Sequence, residues 1–538
     1  MPRTWLRVTL VFLGVLASTA CSGATAAAPL LSVPASSPRA AQISLPASPL
    51  TEEQKILHVL NRLGYGPRPG DVERVKALGL TAYLQQQLYP EAIPDRAVEP
   101  KLKNLSTLGM TTAELMREFP QPDPKLRQKI ARGELSRAEM MEMSPLEKRP
   151  IRIVGELQSA KLIRAVESER QLQEVMVDFW FNHFNVFAGK GAVKWMLVSY
   201  ERDAIRPHAL GKFKDLVLAT AHHPAMLFYL DNWMSVRNDF PSRPGGKGPK
   251  GLNENYAREL MELHTLGVDG GYTQKDVIEV ARSFTGWTID RPREGGGFVF
   301  RPLAHDNGEK VVLGHRIPAG GGQKDGEKVI EILVRHPSTA KFVATKLVRR
   351  FVSDEPPLAL VARVAETFTR TDGDIRAMLT TIVTSPEFWG AEAYRAKIKK
   401  PFELVVSAVR AVGGTTSGSP ALSRAVAQIG EPLYAFQPPT GYPDVAEAWV
   451  NTGALLNRMN FALGLTENRY PGVRVDLGGL VRGADRRDPA QILERLLAGL
   501  LHNQVSLETR EVLMRQLADP DIEKIAALVL GSPEFQRR

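Results

Sequence analysis

Apolar residues recurring at helical intervals are what most constrain this chain. From Thr51 onward they form long amphipathic windows separated by Gly or Pro, with almost no alternating strand pattern. The predicted fold is therefore mainly α, a multi-helix globular array. The first window shows the device. Thr51 and Gln54 have capping-box spacing, Ile56, Leu57, Val59, Leu60 and Leu63 follow on a helical repeat, and Gly64 stops it. One stretch breaks the period. Phe298-Val299-Phe300 and Val311-Val312-Leu313 flank His305-Asp306-Asn307-Gly308. Asn-Gly between apolar runs predicts one inserted β-hairpin over about 297–316. Residues 118–150 read as a charged, mobile insert, and 235–251 and 412–420 as loops. Four segments share an apolar helix running into Ser or His and then Pro: AHHPAMLFYL from Ala221, VRHPSTAKFV from Val334, VTSPEFW from Val383 and LGSPEFQ from Leu530. Their irregular intervals mark shared helix punctuation rather than a repeat.

The first 20 residues are of another kind. Arg3 and Arg7 form a basic region, Val8 to Ala17 an uncharged apolar run, and Ser18-Thr19-Ala20-Cys21 follows. This is the pattern of an export signal. Cys21 after small residues resembles a bacterial lipoprotein signal, in which the cysteine carries lipid; Ser18 departs from the Leu usual there, and Ser22 in second position points to the outer membrane. Ordinary cleavage near Ala26 to Ala28 and an uncleaved anchor are the competing readings. Residues 21–50 are an Ala/Ser/Pro-rich tether. Cys21 is the only cysteine, so no disulfide can form within the chain. The net charge is +10 for the whole chain. Removal of Arg3 and Arg7 leaves +8, dispersed over helix surfaces. Dispersed charge on an exported protein argues against a nucleic-acid partner.

No HExxH, GxSxG or Walker sequence is present. Gly246 to Gly251 matches GxGxxG, but no strand precedes it, and its Pro and two Lys suit a loop. The informative segment is NENYARELMELHTLG, residues 253–267. Projected as a helix, Leu252, Tyr256, Leu260, Leu263 and Leu266 share one arc, and Glu259 lies inside it with Asn255 and Glu262 at its edge. A carboxylate in an apolar stripe needs a partner. The helix of residues 171–184 offers one, because His183 sits within its apolar arc of Leu172, Val175, Met176, Phe179, Trp180 and Phe184. The expectation is that His183 and Glu259 meet in a partly buried pocket. They would form an acid–base pair, or a metal site with Glu262, or a structural pair only; neutralisation of Glu259 by Arg206 or Arg282 is the other structural alternative. His305-Asp306 is a second candidate for ligand contact, against a turn-chemistry explanation. His208 and the adjacent His222 and His223 read as helix-end residues. Gln437 to Pro443 with Trp449 is a stiff turn, either a binding lip or a bridge between helices.

Several strings together resemble one family: Asn-Arg-Leu-Gly-Tyr-Gly from Asn61, Phe-Trp-Phe-Asn-His-Phe from Phe179, Arg-Pro-His-Ala-Leu-Gly from Arg206, the 253–267 and 437–443 stretches with Trp449, and Asn-Arg-Met-Asn-Phe-Ala from Asn457. They are similar to the bacterial family catalogued as domain of unknown function 1800. The resemblance runs from about residue 53 to the C-terminus and implies a single helical family domain over 51–538. It also implies an exported protein, often encoded beside a secreted family that resembles sulfatases and alkaline phosphatases, which makes such a protein a candidate partner. Its motifs fall on Trp180, Asn182, His183, Asn253, Glu254, Asn255, Arg258, Glu259, Glu262, His264, His305 and Asp306, with no catalytic role attached to any of them. Two functional readings follow. One is an envelope hydrolase using His183, Glu259 and Glu262, with Asn255, Trp180, His305 and Asp306 in binding roles and outer-membrane lipid on Cys21. The other is a helical scaffold for another exported protein. The sequence names no cofactor and leaves a metal open.

Overall fold

The capping box at Thr51 forms as its spacing requires. Thr51 Oγ1 accepts from the Gln54 amide at 3.2 Å, and Gln54 Oε1 accepts from the Thr51 amide at 2.9 Å. The helix Glu52–Arg62 follows, burying Ile56, Leu57, Val59 and Leu60. The computed structural model describes residues 43–121, 124–136, 139, 148–241, 251–517 and 519–538. The export segment 1–20, Cys21, the tether up to residue 42, residues 246–250 of the glycine-rich run and parts of the 118–150 and 235–251 segments lie outside them. Among the described residues the fold is mainly α, with three two-stranded antiparallel ribbons. Residues 43–538 form one compact unit around a continuous apolar core.

The Pro-containing segments use one capping device. His223 Nδ1 accepts from the Ala225 amide, His336 Nδ1 from the Ser338 amide, Ser385 Oγ from the Phe388 amide and Ser532 Oγ from the Phe535 amide. In each case Pro follows the capping residue, where its missing N–H costs nothing.

The inserted β-structure lies where a hairpin is expected, but its pairing differs. Trp287–Ile289 (β1) pairs with Phe298–Phe300 (β2), and Lys310–Val312 (β3) pairs with His315–Ile317 (β4). Asp306-Asn307-Gly308 is therefore not the hairpin turn. The β3–β4 turn is Leu313-Gly314, with φ of +49° and +78°. Positive φ at both central residues suits the right-handed twist of a two-residue hairpin. Pairing of β2 with β1 covers Trp287, which is fully buried against Phe284 and Phe298.

Three elements position the candidate site. The helix Gln171–His183 packs against Ile151–Glu167 and Leu80–Leu88, and the helix Pro337–Phe351 packs against Leu358–Arg370 and the turn Leu260–Thr265. The third is the loop 436–445.

Candidate functional site

The 253–267 segment is not one regular helix. Asn255–Glu259 is α-helical, whereas Leu260–Thr265 is a π-helix. Thr265 Oγ1 donates to the Leu260 carbonyl at 2.7 Å, and the Leu266 amide donates to the Met261 carbonyl at 2.8 Å, each five residues back. This wider winding overturns the projection, which assumes the α-helical angle throughout. His264 turns into the core, with its ring centroid 6.1 Å from that of His183, while Glu259 and Glu262 are only half-buried and Asn255 is exposed.

His183 does not pair with Glu259. Its Nε2 lies 3.0 Å from the His264 carbonyl and its Nδ1 lies 2.8 Å from Lys346 Nζ. A carbonyl can only accept, so Nε2 carries the proton and Nδ1 presents a lone pair to the lysine. Burial, Lys346 and His264 hold the imidazole well below its ordinary pKa, so the ring is neutral. Glu259 makes no hydrogen bond or ion pair among the described residues, and burial followed by the Glu262 charge raises its pKa. Arg206 and Arg282 do not neutralise it. Arg206 forks onto Glu174 at 2.7 and 2.9 Å and approaches Glu201 at 3.5 Å, and Arg282 binds Glu279 and Asp306.

The His183–Lys346 pair lines a cavity of about 540 Å³. One wall carries Asp178, Phe179 and Asn182; a second carries Arg349 and Arg350 beside Lys346; Lys400 and the loop residues Phe436 and Thr440 to Val445 close it. The loop is clamped at its base. Asn182 donates to the Tyr442 carbonyl at 2.8 Å and accepts from the Tyr442 amide at 2.7 Å, while Asn185 donates to the carbonyls of Phe436 and Pro438. Tyr229 Oη donates to the Gln437 carbonyl at 2.5 Å. Gly441, at φ +69°, passes so close that a Cβ would sit 2.1 Å from the Asn182 carbonyl oxygen. Only glycine fits there.

Lys346, Arg349, Arg350 and Lys400 line this cavity with Asp178 and Asp444, and Arg350 is paired with the buried Glu403 behind it. Asp178 is bound to Lys161 at 2.5 Å, and Lys400 stands 3.7 Å from both Asp178 and Glu431. Burial tends to raise the Asp444 carboxyl, but Lys397, Arg350 and Lys400 overcome it and hold the group well below the usual carboxylate range. Burial, with Arg349 adding to it against the pull of Asp444, lowers Lys346 to about 8. One Lys346 N–H is used by His183, and the other two have no acceptor among the described residues. A lysine so held can bind an anion or exchange a proton near neutral pH.

The remaining sequence candidates have structural roles. Trp180 is fully buried and donates to the Ala209 carbonyl at 2.9 Å, so it cannot contact a ligand. Asn255 donates to the Leu230 carbonyl, and Glu262 accepts from Tyr272 Oη at 3.3 Å. His305 is fully buried between the Thr285 carbonyl and Asp325, which also binds Lys310 at 2.6 Å; Asp306 is occupied by Arg282. This pair staples the β-insert and is not open to ligand. Among the described residues, no group of three or more His, Cys, Asp or Glu is arranged to hold a metal. Lys346, Arg349, Arg350, Lys400, Asp178 and Asp444 are the cavity residues that sequence reasoning missed.

The model of a protein family described as "Protein of unknown function (DUF1800)" matches residues 58–537. No curated protein and no solved structure matches the chain.

Proposed function

The chain belongs to the DUF1800 family, and on that premise we propose that it is an exported enzyme that binds a small anionic substrate in the Lys346 cavity and performs acid–base chemistry of the kind used in hydrolysis. The observation that carries this reading is Lys346, lowered to about 8 and held by neutral His183 in a cavity with more cations than carboxylates. Arg349 and Lys400 would attract the substrate's negative charge, Lys346 would exchange a proton with the reacting group, and His183 would act as a positioning residue. Export rests on the Arg3, Arg7 and Val8–Ala17 pattern, and lipid attachment on Cys21.

The test uses the purified full chain. Phosphate, sulfate, acetate and citrate are titrated by calorimetry, and ester, phosphate-ester and sulfate-ester hydrolysis is assayed in wild type, Lys346→Met and Glu259→Gln. Binding or turnover lost in Lys346→Met and kept in Glu259→Gln supports the reading. The reverse pattern, or no anion binding at all, overturns it.

One observation favours the scaffold alternative. Val450, Leu455, Leu456 and Met459 leave apolar side chains exposed at the start of the helix Thr452–Thr466. A partner docked there would be lost from co-purification on Leu456→Asp, with the Lys346 cavity unaffected.

A further inference from the structure

A second cavity, of about 40 Å³, lies where the helix Glu52–Arg62, the segment 394–399 and residues 534–538 meet. Lys399 lines it at 5% exposure, and among the described residues the only partner of its Nζ is the Phe535 ring, whose centroid is 3.8 Å away. Arg538 lines it at 4% exposure. Its Nε binds Glu403 and its Nη2 reaches the Arg350 carbonyl, but Nη1 has no hydrogen-bond partner among the described residues. Arg395 is a third lining cation, with two of its N–H groups on the carbonyls of Gln504 and Glu534.

The surrounding side chains do not supply the missing negative charge. Arg62 is fully buried beside this group, with Nε and Nη1 unpaired among the described residues. Glu403 is shared between Arg350 and Arg538, and Asp444 is taken by Lys397 at 3.3 Å. The Glu534 carboxylate lines the cavity with Oε1 on Ser506 and Oε2 without a partner among the described residues, one side-chain carboxylate against the four lining cations Arg395, Lys399, Arg537 and Arg538. Water can satisfy an orphaned N–H, but it leaves a buried cation uncompensated. A volume of 40 Å³ holds only a few water-sized particles, at roughly 10–15 Å³ each, so a single-atom anion fits without the walls parting.

We infer that this cavity is a binding site for a small monoanion of the halide class, held by Lys399 Nζ and Arg538 Nη1. Burial, Arg395, Arg538 and Arg458, against the pull of Glu403, bring Lys399 down to about 7 in the anion-free protein. His58, Tyr394, His502, Glu534 and Arg537 are the other ionisable groups lining the cavity. A halide favours the ammonium form, so above about pH 7 binding takes up a proton and weakens as pH rises.

The test is the Tm of the full chain when sodium gluconate is replaced by sodium chloride or bromide at constant ionic strength. A saturable rise is expected, larger at pH 6 than at pH 9, together with a bromide anomalous-scattering peak between Lys399 and Arg538 in crystals of the wild type. Lys399→Met removes the halide dependence, and Lys324→Met, at an exposed lysine elsewhere, retains it. The same Tm in gluconate and halide, an undiminished dependence in Lys399→Met, or only water density at the site overturns the inference.

Discussion

Replacing Gly441 by Ala tests whether the loop over the Lys346 cavity is held as described. At φ +69°, alanine costs about 1–2 kcal/mol from backbone conformation alone. Its Cβ would stand 2.1 Å from the Asn182 carbonyl oxygen and 2.8 Å from Asn182 Oδ1. A Cβ has no rotamer to escape into, and the carbonyl belongs to a helix end packed in the core. The loop must therefore move away, breaking the two Asn182–Tyr442 hydrogen bonds of 2.8 and 2.7 Å, each contributing about 1 kcal/mol net. The sum is a destabilisation of about 3 kcal/mol. Gly70 is the control, because it also has positive φ, +88°, but nothing within 4 Å of its added Cβ. Gly70→Ala should show the conformational cost alone. Urea unfolding measures both variants, and hydrogen exchange at the Tyr442 amide reports the clamp directly. A Gly441→Ala protein no less stable than Gly70→Ala, with the Tyr442 amide still protected, would refute the reasoning.

Other predictions follow from buried charge and from the N-terminal segment. Arg206→Ala leaves Glu174 buried and unpaired, with an expected loss of about 3–5 kcal/mol in chemical denaturation; Arg206→Lys recovers only part of it, because an ammonium cannot reproduce the paired contacts to both Glu174 oxygens. The folded pKa of Lys346, about 8, lies below its unfolded value, so the unfolded chain binds more protons between them. Its destabilising contribution is fully present below about pH 8 and fades as pH rises toward the unfolded pKa near 10.4. Lys346→Met should therefore compare best with wild type at neutral pH and lose ground above pH 8, as read from Tm against pH. Cys21→Ala should abolish incorporation of labelled palmitate and release the protein from the membrane fraction; unchanged labelling would refute lipid attachment at that cysteine.

Helical period, capping chemistry and Pro placement act within a few residues, which is why the mainly α fold and the Thr51 cap could be read from the chain alone. Strand pairing is decided farther away. The partner of Phe298 is selected by the need to bury Trp287, and Asp306-Asn307-Gly308 is used to hold Arg282 and Lys310. His183 was visible because an ionisable group inside an apolar arc stands out in projection. Its true partner was not, for two reasons. Leu260–Thr265 is wound more widely than projection assumes, and Lys346, next in line to Arg349 and Arg350, reads as part of a solvated face. Asp178, Lys400 and Asp444 come from three distant segments and meet only in the folded chain.

The π-helix at Leu260–Thr265 has a consequence for anyone editing or aligning this protein. Such a turn is an α-helix carrying one extra residue, and removing that residue would restore better local geometry. Yet the deletion would rotate everything beyond it by about 100°. The His264 carbonyl would swing away from His183, and with it the constraint that fixes which ring nitrogen faces Lys346. The segment thus acts as a reading-frame mark in three dimensions. A homologue aligned without this insertion would match in letters while placing a different carbonyl against the His183 ring.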